Sequence, residues 1–301
     1  MSSRHLVRRD GELDLAVPVG TTATGFRRCF VVDEETPGAV HTGFAICELE
    51  PGGAIPAHVH SYEDSFFVLR GELVVDTGDG AFQLGAGDYG VVATGAPHAL
   101  RNVSDAPVRW AGMFAPQPRS RVAGDTYPVP AFPVRAPEPI DVRDPRTRSF
   151  GHVDPANMEV DKQTQDMLAV SASMRTALLV YSGITVKMMV DSDLGAQLTT
   201  MFMVQYAPDG VAGPHDHPFE ETYLFLEGRA EGVFDGERYE LNPGDVAFAG
   251  VGCVHGFRNL GGGPLRWLET QAPQPPRRHS YRFARDWNYL QERLDEGEAD
   301  A

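Results

Sequence analysis

Apolar residues along this chain come in short bursts cut by turn-forming residues, without the three-and-four spacing of an amphipathic helix. Residues 43–50 and Thr200–Tyr206 read as strands, and they run into the turn signals Pro51-Gly52-Gly53 and Pro208-Asp209-Gly210. Further bursts lead into Gly71 and Gly228. Hairpin signals follow at residues 77–80 (Thr-Gly-Asp-Gly) and at Asp235-Gly236, the second being a strong two-residue type. The pattern predicts an all-β fold of many short strands, a sandwich or a barrel. Weak helical patterning is confined to residues 154–174 and 285–294. Residues 127–148 are so rich in proline that they read as an extended linker or a strap, because proline brings no N–H to a ladder.

The bursts repeat. Shifted by 157 positions, residues 51–118 align on 208–275 without a gap. His58 falls on His215, His60 on His217 and His98 on His255. Gly71, Gly87 and Asp88 fall on Gly228, Gly244 and Asp245. The match runs on through Arg101/Arg258, Asn102/Asn259 and Trp110/Trp267 to a shared Ala-Pro-Gln-Pro. One fold is therefore written twice. The expected division is residues 1–125 for the first barrel, 126–165 for the proline-rich connection, 166–290 for the second barrel and 291–301 for an acidic tail.

The repeated histidines have the spacing of metal ligands. Side chains alternate faces along a strand, so His215, His217 and Glu221, of one parity, should face inward together, while Glu220 should face out. His255 lies beyond a hairpin, where a neighbouring antiparallel strand can bring it to the same mouth. Three neutral imidazoles and one carboxylate suit Fe(II), Mn(II), Ni(II), Cu(II) or Zn(II). Four such donors leave two positions of an octahedral shell for substrate, water or O2. In the first repeat the matching set is His58, His60, His98 and Asp64. Aspartate is one methylene shorter than glutamate and is expected to reach a metal poorly or through water. Cys253 is read as a small buried neighbour of the second site, and Trp110 and Trp267 as core anchors. Arg101 and Arg258 are read as rim residues held in ion pairs.

At this point the chain resembles a bicupin of the cupin superfamily. Both family motifs occur twice. The first runs from Gly52 through His58, His60 and Asp64 to Gly71, and again from His215 through His217 and Glu221 to Gly228. The second is Gly87-Asp88, Gly95, His98 and Asn102, and again Gly244-Asp245, Gly252, His255 and Asn259. The departures are Asp64 for glutamate, Asp209 for the leading glycine, and Ala93 and Gly250 for the motif prolines. The resemblance implies two tandem jelly-roll barrels, each with a metal at its mouth. It does not imply a reaction.

Parity extends to the lining. Phe219, Tyr223, Phe225 and Phe257 should point into the second barrel, with Met201 and Met203 on the adjacent strand. Tyr62, Phe66, Val68 and Leu100 should line the first. An apolar, aromatic interior suits a small apolar, aromatic or enolisable carbonyl substrate held by chelation. The expected activity is a metal-dependent, dioxygenase-like oxidation at the second site with Fe(II). Glu221 serves as ligand and acid/base group, and Tyr223 as hydrogen-bond donor to a developing oxyanion. A non-redox metalloenzyme (isomerase, decarboxylase or aminohydrolase) and a non-catalytic binding cupin are the alternatives.

Composition narrows the partners. The 301 residues carry a formal net charge of −16, so phosphate backbones are repelled and nucleic acid is not expected. Three cysteines, Cys29, Cys47 and Cys253, make no disulfide framework and fit a reducing compartment. With no apolar run of membrane length and no leader pattern, a cytoplasmic protein without membrane contact is expected. A homodimer is expected as well, formed by strand exchange through residues 140–150 or the N-terminal segment.

Overall fold

The computed structural model describes residues 3–159, 183–274 and 282–283. Among these, every regular element is a strand or a short 3-10 turn. The first repeat is built on one long strand, Gly43–His60. Its front half pairs with Val108–Ala115 and its back half with His98–Arg101, so the strand bends from one wall of a barrel to the other. In the second repeat the same path is broken into Thr200–Tyr206 and Val211–Asp216, which lie in different sheets. Between them Asp209 adopts φ 65°, the left-handed conformation that Gly52 takes at φ 70° in the first repeat. Aspartate tolerates this region better than most residues, so the displaced motif glycine costs the fold little. At the hairpin tip Asp235 and Gly236 have φ 47° and 90°, as a two-residue turn matched to strand twist requires.

Each barrel has its own interior. Phe66, Val68, Leu100 and Trp110 pack with Phe82 and Phe114 in the first barrel. Tyr223, Phe225, Phe257 and Trp267 pack with Phe234 in the second. A third apolar cluster lies between the barrels and joins Phe44, Ile46, Phe67 and Met113 to Leu224, Phe248 and Leu268. Met201 and Met203 belong to this cluster. The expectation that they line the second barrel is corrected. On Thr200–Tyr206 it is Phe202, Val204 and Tyr206 that turn inward, and the alternate residues meet the other barrel.

Glu220 requires a second correction. It does point out of its barrel, but it is fully buried in the contact between barrels. Its carboxylate accepts the backbone N–H groups of Val40 (2.7 Å), His41 (3.0 Å) and Thr42 (2.8 Å). Glu63, the repeat mate of Glu220, does the same in reverse. It accepts the N–H groups of Gln197 (2.7 Å), Leu198 (3.2 Å) and Thr199 (2.9 Å), and the Thr199 hydroxyl. Residues 197–199 are in turn the mates of 40–42. The two barrels are thus tied by one clamp used twice.

The barrels also exchange edge strands. His5–Arg8, which precedes the first barrel, pairs with Val246–Ala249 of the second. Phe150–His152, which precedes the second, pairs with residues 88–90 of the first. The N-terminal segment and Phe150, the last residue of the segment 140–150 expected to exchange between subunits, thus cover edges within one chain. Despite its prolines, the connection forms two short ladders, Thr126–Pro128 on residues 58–60 and Glu138–Pro139 on residues 82–83. Of the helix expected over residues 154–174, the described part holds only the 3-10 turn Pro155–Met158. The rest, and the helix expected over 285–294, lie outside the described residues. No helix among the described residues is long and apolar enough to cross a membrane.

The clamp carries a prediction. In Glu220→Gln an amide NH2 would face backbone donors that an ionised acceptor now satisfies, and hydrogen bonds to charged groups contribute about 1.5–3 kcal/mol. Urea denaturation should show Glu220→Gln and Glu63→Gln each destabilised by about 2–3 kcal/mol. A loss below about 0.5 kcal/mol would mean that the apolar cluster alone joins the barrels.

Candidate metal centres

The mouths of the two barrels are built alike. His58 lies directly across a ladder from His98, and His215 directly across from His255. His60 and His217 come two residues further along their strands. Parity thus brings each triad together, with its ligand nitrogens within 4.8 Å of one another. Backbone carbonyls orient all six rings. In the first barrel the Nδ1 atoms of His58, His60 and His98 donate to the carbonyls of Pro56 (2.7 Å), Tyr62 (2.6 Å) and Ala96 (3.1 Å). In the second, His215, His217 and His255 donate to Gly213 (2.8 Å), Phe219 (3.1 Å) and Cys253 (3.0 Å). A ring that donates from Nδ1 keeps its Nε2 lone pair for a metal.

Burial holds His58, His60, His98 and His215 below the ordinary imidazole pKa. It pushes His60 down to about 4, and His98 and His215 each to about 3. In the first barrel the Nε2 atoms of His60 and His98 are buried without a hydrogen-bond partner. Such groups are costly to leave bare, so the donor set fits a metal ion.

The fourth donor separates the two centres. Glu221 is fully buried, and its Oε2 lies 2.7 Å from His217 Nε2 and 3.3 Å from His255 Nε2. Burial raises its affinity for a proton, but the His217 and His255 rings outweigh this and hold it well below the usual carboxylate range. For His217, burial is outweighed by the Glu221 charge and its pKa is raised. Asp64 makes no hydrogen bond or ion pair with its triad, and its Oδ1 is buried without a partner. Burial pushes Asp64 up to about 7, against the pull of Arg28. The missing methylene therefore leaves the first centre with three imidazoles and a detached carboxyl group.

The second centre has further polar groups. The Tyr223 hydroxyl donates to Glu221 and lies 2.9 Å from His255 Nε2. Burial and the Glu221 charge raise the tyrosine pKa well above its ordinary value. Gln271 donates its side-chain amide to Glu221 Oε1 at 2.5 Å. Glu269 accepts the Trp267 indole N–H at 2.9 Å. Burial and the nearby Glu221 charge raise Glu269 well above the carboxylate range. Sequence reasoning named Tyr223 and missed Glu269 and Gln271. The signal was present, because both share the parity of Trp267, an inward anchor. Their repeat mates are Gly112 and Phe114, and that of Tyr223 is Phe66, so the first barrel has none of this machinery.

The expected lining is found in part. Tyr223, Phe225 and Phe257 stand in the second barrel, and Phe219 stacks on the His217 ring at 4.1 Å between centroids. Cys253 is buried beside the site and supplies the carbonyl that orients His255. At the rims Arg101 pairs with Asp76 (2.7 Å) and Arg258 with Glu231 (3.4 Å).

Comparison with known proteins agrees with this geometry. The Cupin domain family matches residues 45–114 and again 202–270. Tetracenomycin polyketide synthase protein TcmJ of Streptomyces glaucescens is 30% identical over 96 residues, which is 32% of this chain and 64% of that protein. The chain thus spans somewhat less than two thirds of that relative's length. Among solved structures, an oxalate decarboxylase of Lactobacillus farciminis matches with a TM-score of 0.62 at 19% identity, over 94% of this chain and 89% of that one. A salicylate 1,2-dioxygenase of Pseudaminobacter salicylatoxidans matches with a TM-score of 0.66 at 14% identity, over 85% and 78%. At these identities the likeness is one of fold. Two matched cupin regions, two barrels and two histidine triads in one register make this chain a bicupin of the cupin superfamily.

Proposed function

We propose that the second barrel is the reaction centre of a metal-dependent oxidoreductase. It would act, in the manner of a dioxygenase, on a small apolar, aromatic or enolisable carbonyl compound. The observation that carries this reading is the joining of three inward Nε2 atoms and the Glu221 carboxylate to an enclosed aromatic interior. His215, His217, His255 and Glu221 would hold a divalent transition metal, Fe(II) being favoured. The metal supplies Lewis acidity and, when redox-active, electron exchange with O2.

The chain's own residues supply the rest. Phe219, Phe225 and Phe257 exclude water, which protects reactive species from quenching. The Tyr223 hydroxyl, already a donor in this site, can turn its hydrogen bond to a substrate oxygen as negative charge develops there. Gln271 fixes the orientation of Glu221 by binding its other oxygen. A salicylate 1,2-dioxygenase, named for an aromatic substrate, shares the fold at 14% identity.

Glu269 favours a second reading. A buried carboxyl group beside Glu221 whose proton affinity is raised can serve as a proton donor, and a non-redox isomerase or decarboxylase needs proton transfer and Lewis acidity alone. An oxygen electrode decides between the two. Once a screen of small aromatic and enolisable carbonyl compounds has given a substrate, the Fe-loaded protein should consume O2 in step with turnover. An equal rate without O2 would replace the oxidative reading with the non-redox one. In the same assay Tyr223→Phe should lower kcat about 10–100-fold with KM nearly unchanged, the mark of a bond that matters most in the transition state. A loss carried wholly by KM would make Tyr223 a binding group only.

The two centres should also differ in affinity. Metal titration of single-site variants should show the Glu221 centre binding more tightly than the Asp64 centre. His217→Ala should abolish binding in the second barrel while the far-ultraviolet circular dichroism stays that of a folded β protein. A tighter first centre would reverse the ranking and make the detached Asp64 an advantage.

A further inference from the structure

The strand Thr24–Val32 carries an arginine that the metal centres do not explain. Its register sets Arg27 opposite Glu48, Arg28 opposite Cys47 and Cys29 opposite Ile46. Arg27 turns outward and pairs with Glu48 and Glu50. Arg28 alternates with it and shares the face of Phe26, Phe30 and Cys47, which belong to the interior of the first barrel. Its guanidinium carbon lies 4.2 Å from the centre of the Phe30 ring and 5.9 Å from that of Phe26. Arg27, Arg70 and Arg101 each close on a carboxylate. Among the described residues the Arg28 guanidinium has no hydrogen-bond or ion-pair partner. The second barrel has no counterpart, because the residue opposite Val204, the repeat mate of Cys47, is Val186.

One aromatic wall joins this cation to the first histidine triad. Phe30 meets Phe114 edge-on at 5.7 Å, Phe114 meets Tyr62 edge-on at 5.4 Å, and Tyr62 stacks on His60 at 4.0 Å. Asp64 feels the Arg28 charge, yet it forms no ion pair with Arg28, and its Oδ1 has no partner. Gly112 stands at the position where the second barrel carries Glu269, so the first barrel lacks that interior carboxylate.

We propose that the first barrel is a separate binding site for a small aromatic carboxylate, its carboxylate paired with Arg28 and its ring laid along Phe30 and Phe114. The planar guanidinium offers a two-pronged match to a carboxylate, and stacking on Phe30 already fixes its orientation. One positive charge balances one negative charge. A phosphate in the same apolar setting would keep an uncompensated one. The apolar wall selects a ring over a hydrated polar ligand. This site is independent of the reaction proposed for the second barrel.

Calorimetric titration of the full-length protein, metal-free and Zn-loaded, tests the assignment with benzoate, its neutral isostere benzamide and inorganic phosphate as probes. Benzoate should bind and benzamide and phosphate should not. Arg28→Gln should weaken benzoate at least tenfold and Arg28→Lys, which keeps the charge, by less, both with urea midpoints near that of the parent. His217→Ala, which disables the second barrel, should leave benzoate binding unchanged. Absence of benzoate binding, equal binding of benzamide or phosphate, or indifference to Arg28→Gln would overturn the proposal. Loss of binding in His217→Ala alone would place the ligand in the second barrel, overturning this inference while leaving the proposed reaction standing.

Discussion

The structure turns on one small interaction, made six times: a histidine Nδ1 donating to a backbone carbonyl two residues away. A bare imidazole can present either nitrogen, and a buried one can protonate or rotate. The carbonyl removes the choice of tautomer, and burial disfavours the charged form of His58, His60, His98 and His215. What remains is three lone pairs aimed at one point, with direction set by strands that cannot slip without sending every ligand to the other face. The inter-barrel clamp serves the same end. Glu63 and Glu220 each adjoin the fourth-donor position of their barrel, Asp64 and Glu221, so the contact that joins the barrels also fixes the strand that carries that donor.

On this shared frame the two barrels have diverged in what fills them. The second adds Glu221, Tyr223, Glu269 and Gln271, a connected set of polar groups around the imidazoles. The first replaces these positions with Asp64, Phe66, Gly112 and Phe114 and brings in Arg28 from a different strand. One interior surrounds its imidazoles with carboxyl, hydroxyl and amide groups. The other is apolar, and the Arg28 guanidinium there has no ion-pair partner among the described residues. Duplicated barrels thus hold one triad geometry and two distinct environments for it.

Much of this was legible in the sequence because β structure has a period of two. Parity and the gapless repeat were enough to place His215, His217, Glu221 and His255 together, and to set Asp64 apart as too short. Where the reading failed, the phase or the surroundings of a strand were missing. Met201 and Met203 were given an inward phase with no anchor on their own strand, and Phe202 and Tyr206 hold that phase instead. Glu220 was assigned the correct face. The outside of a barrel in a tandem pair is not all solvent, however, and only the fold shows which part is the contact. Glu269 and Gln271 were within reach of the same parity rule, counted from Trp267. Arg28 was not, because nothing in the chain sets its strand against Cys47 before the fold does.

The central claim is that the second triad and Glu221 form one metal site. Anomalous diffraction from crystals of Mn-loaded protein, collected at the metal edge, tests it most directly. The account predicts a peak in the mouth of the second barrel, within about 2.0–2.3 Å of the Nε2 atoms of His215, His217 and His255 and of a Glu221 oxygen. A peak bound by the imidazoles with Glu221 turned away, or no peak in that barrel under saturating metal, would contradict it.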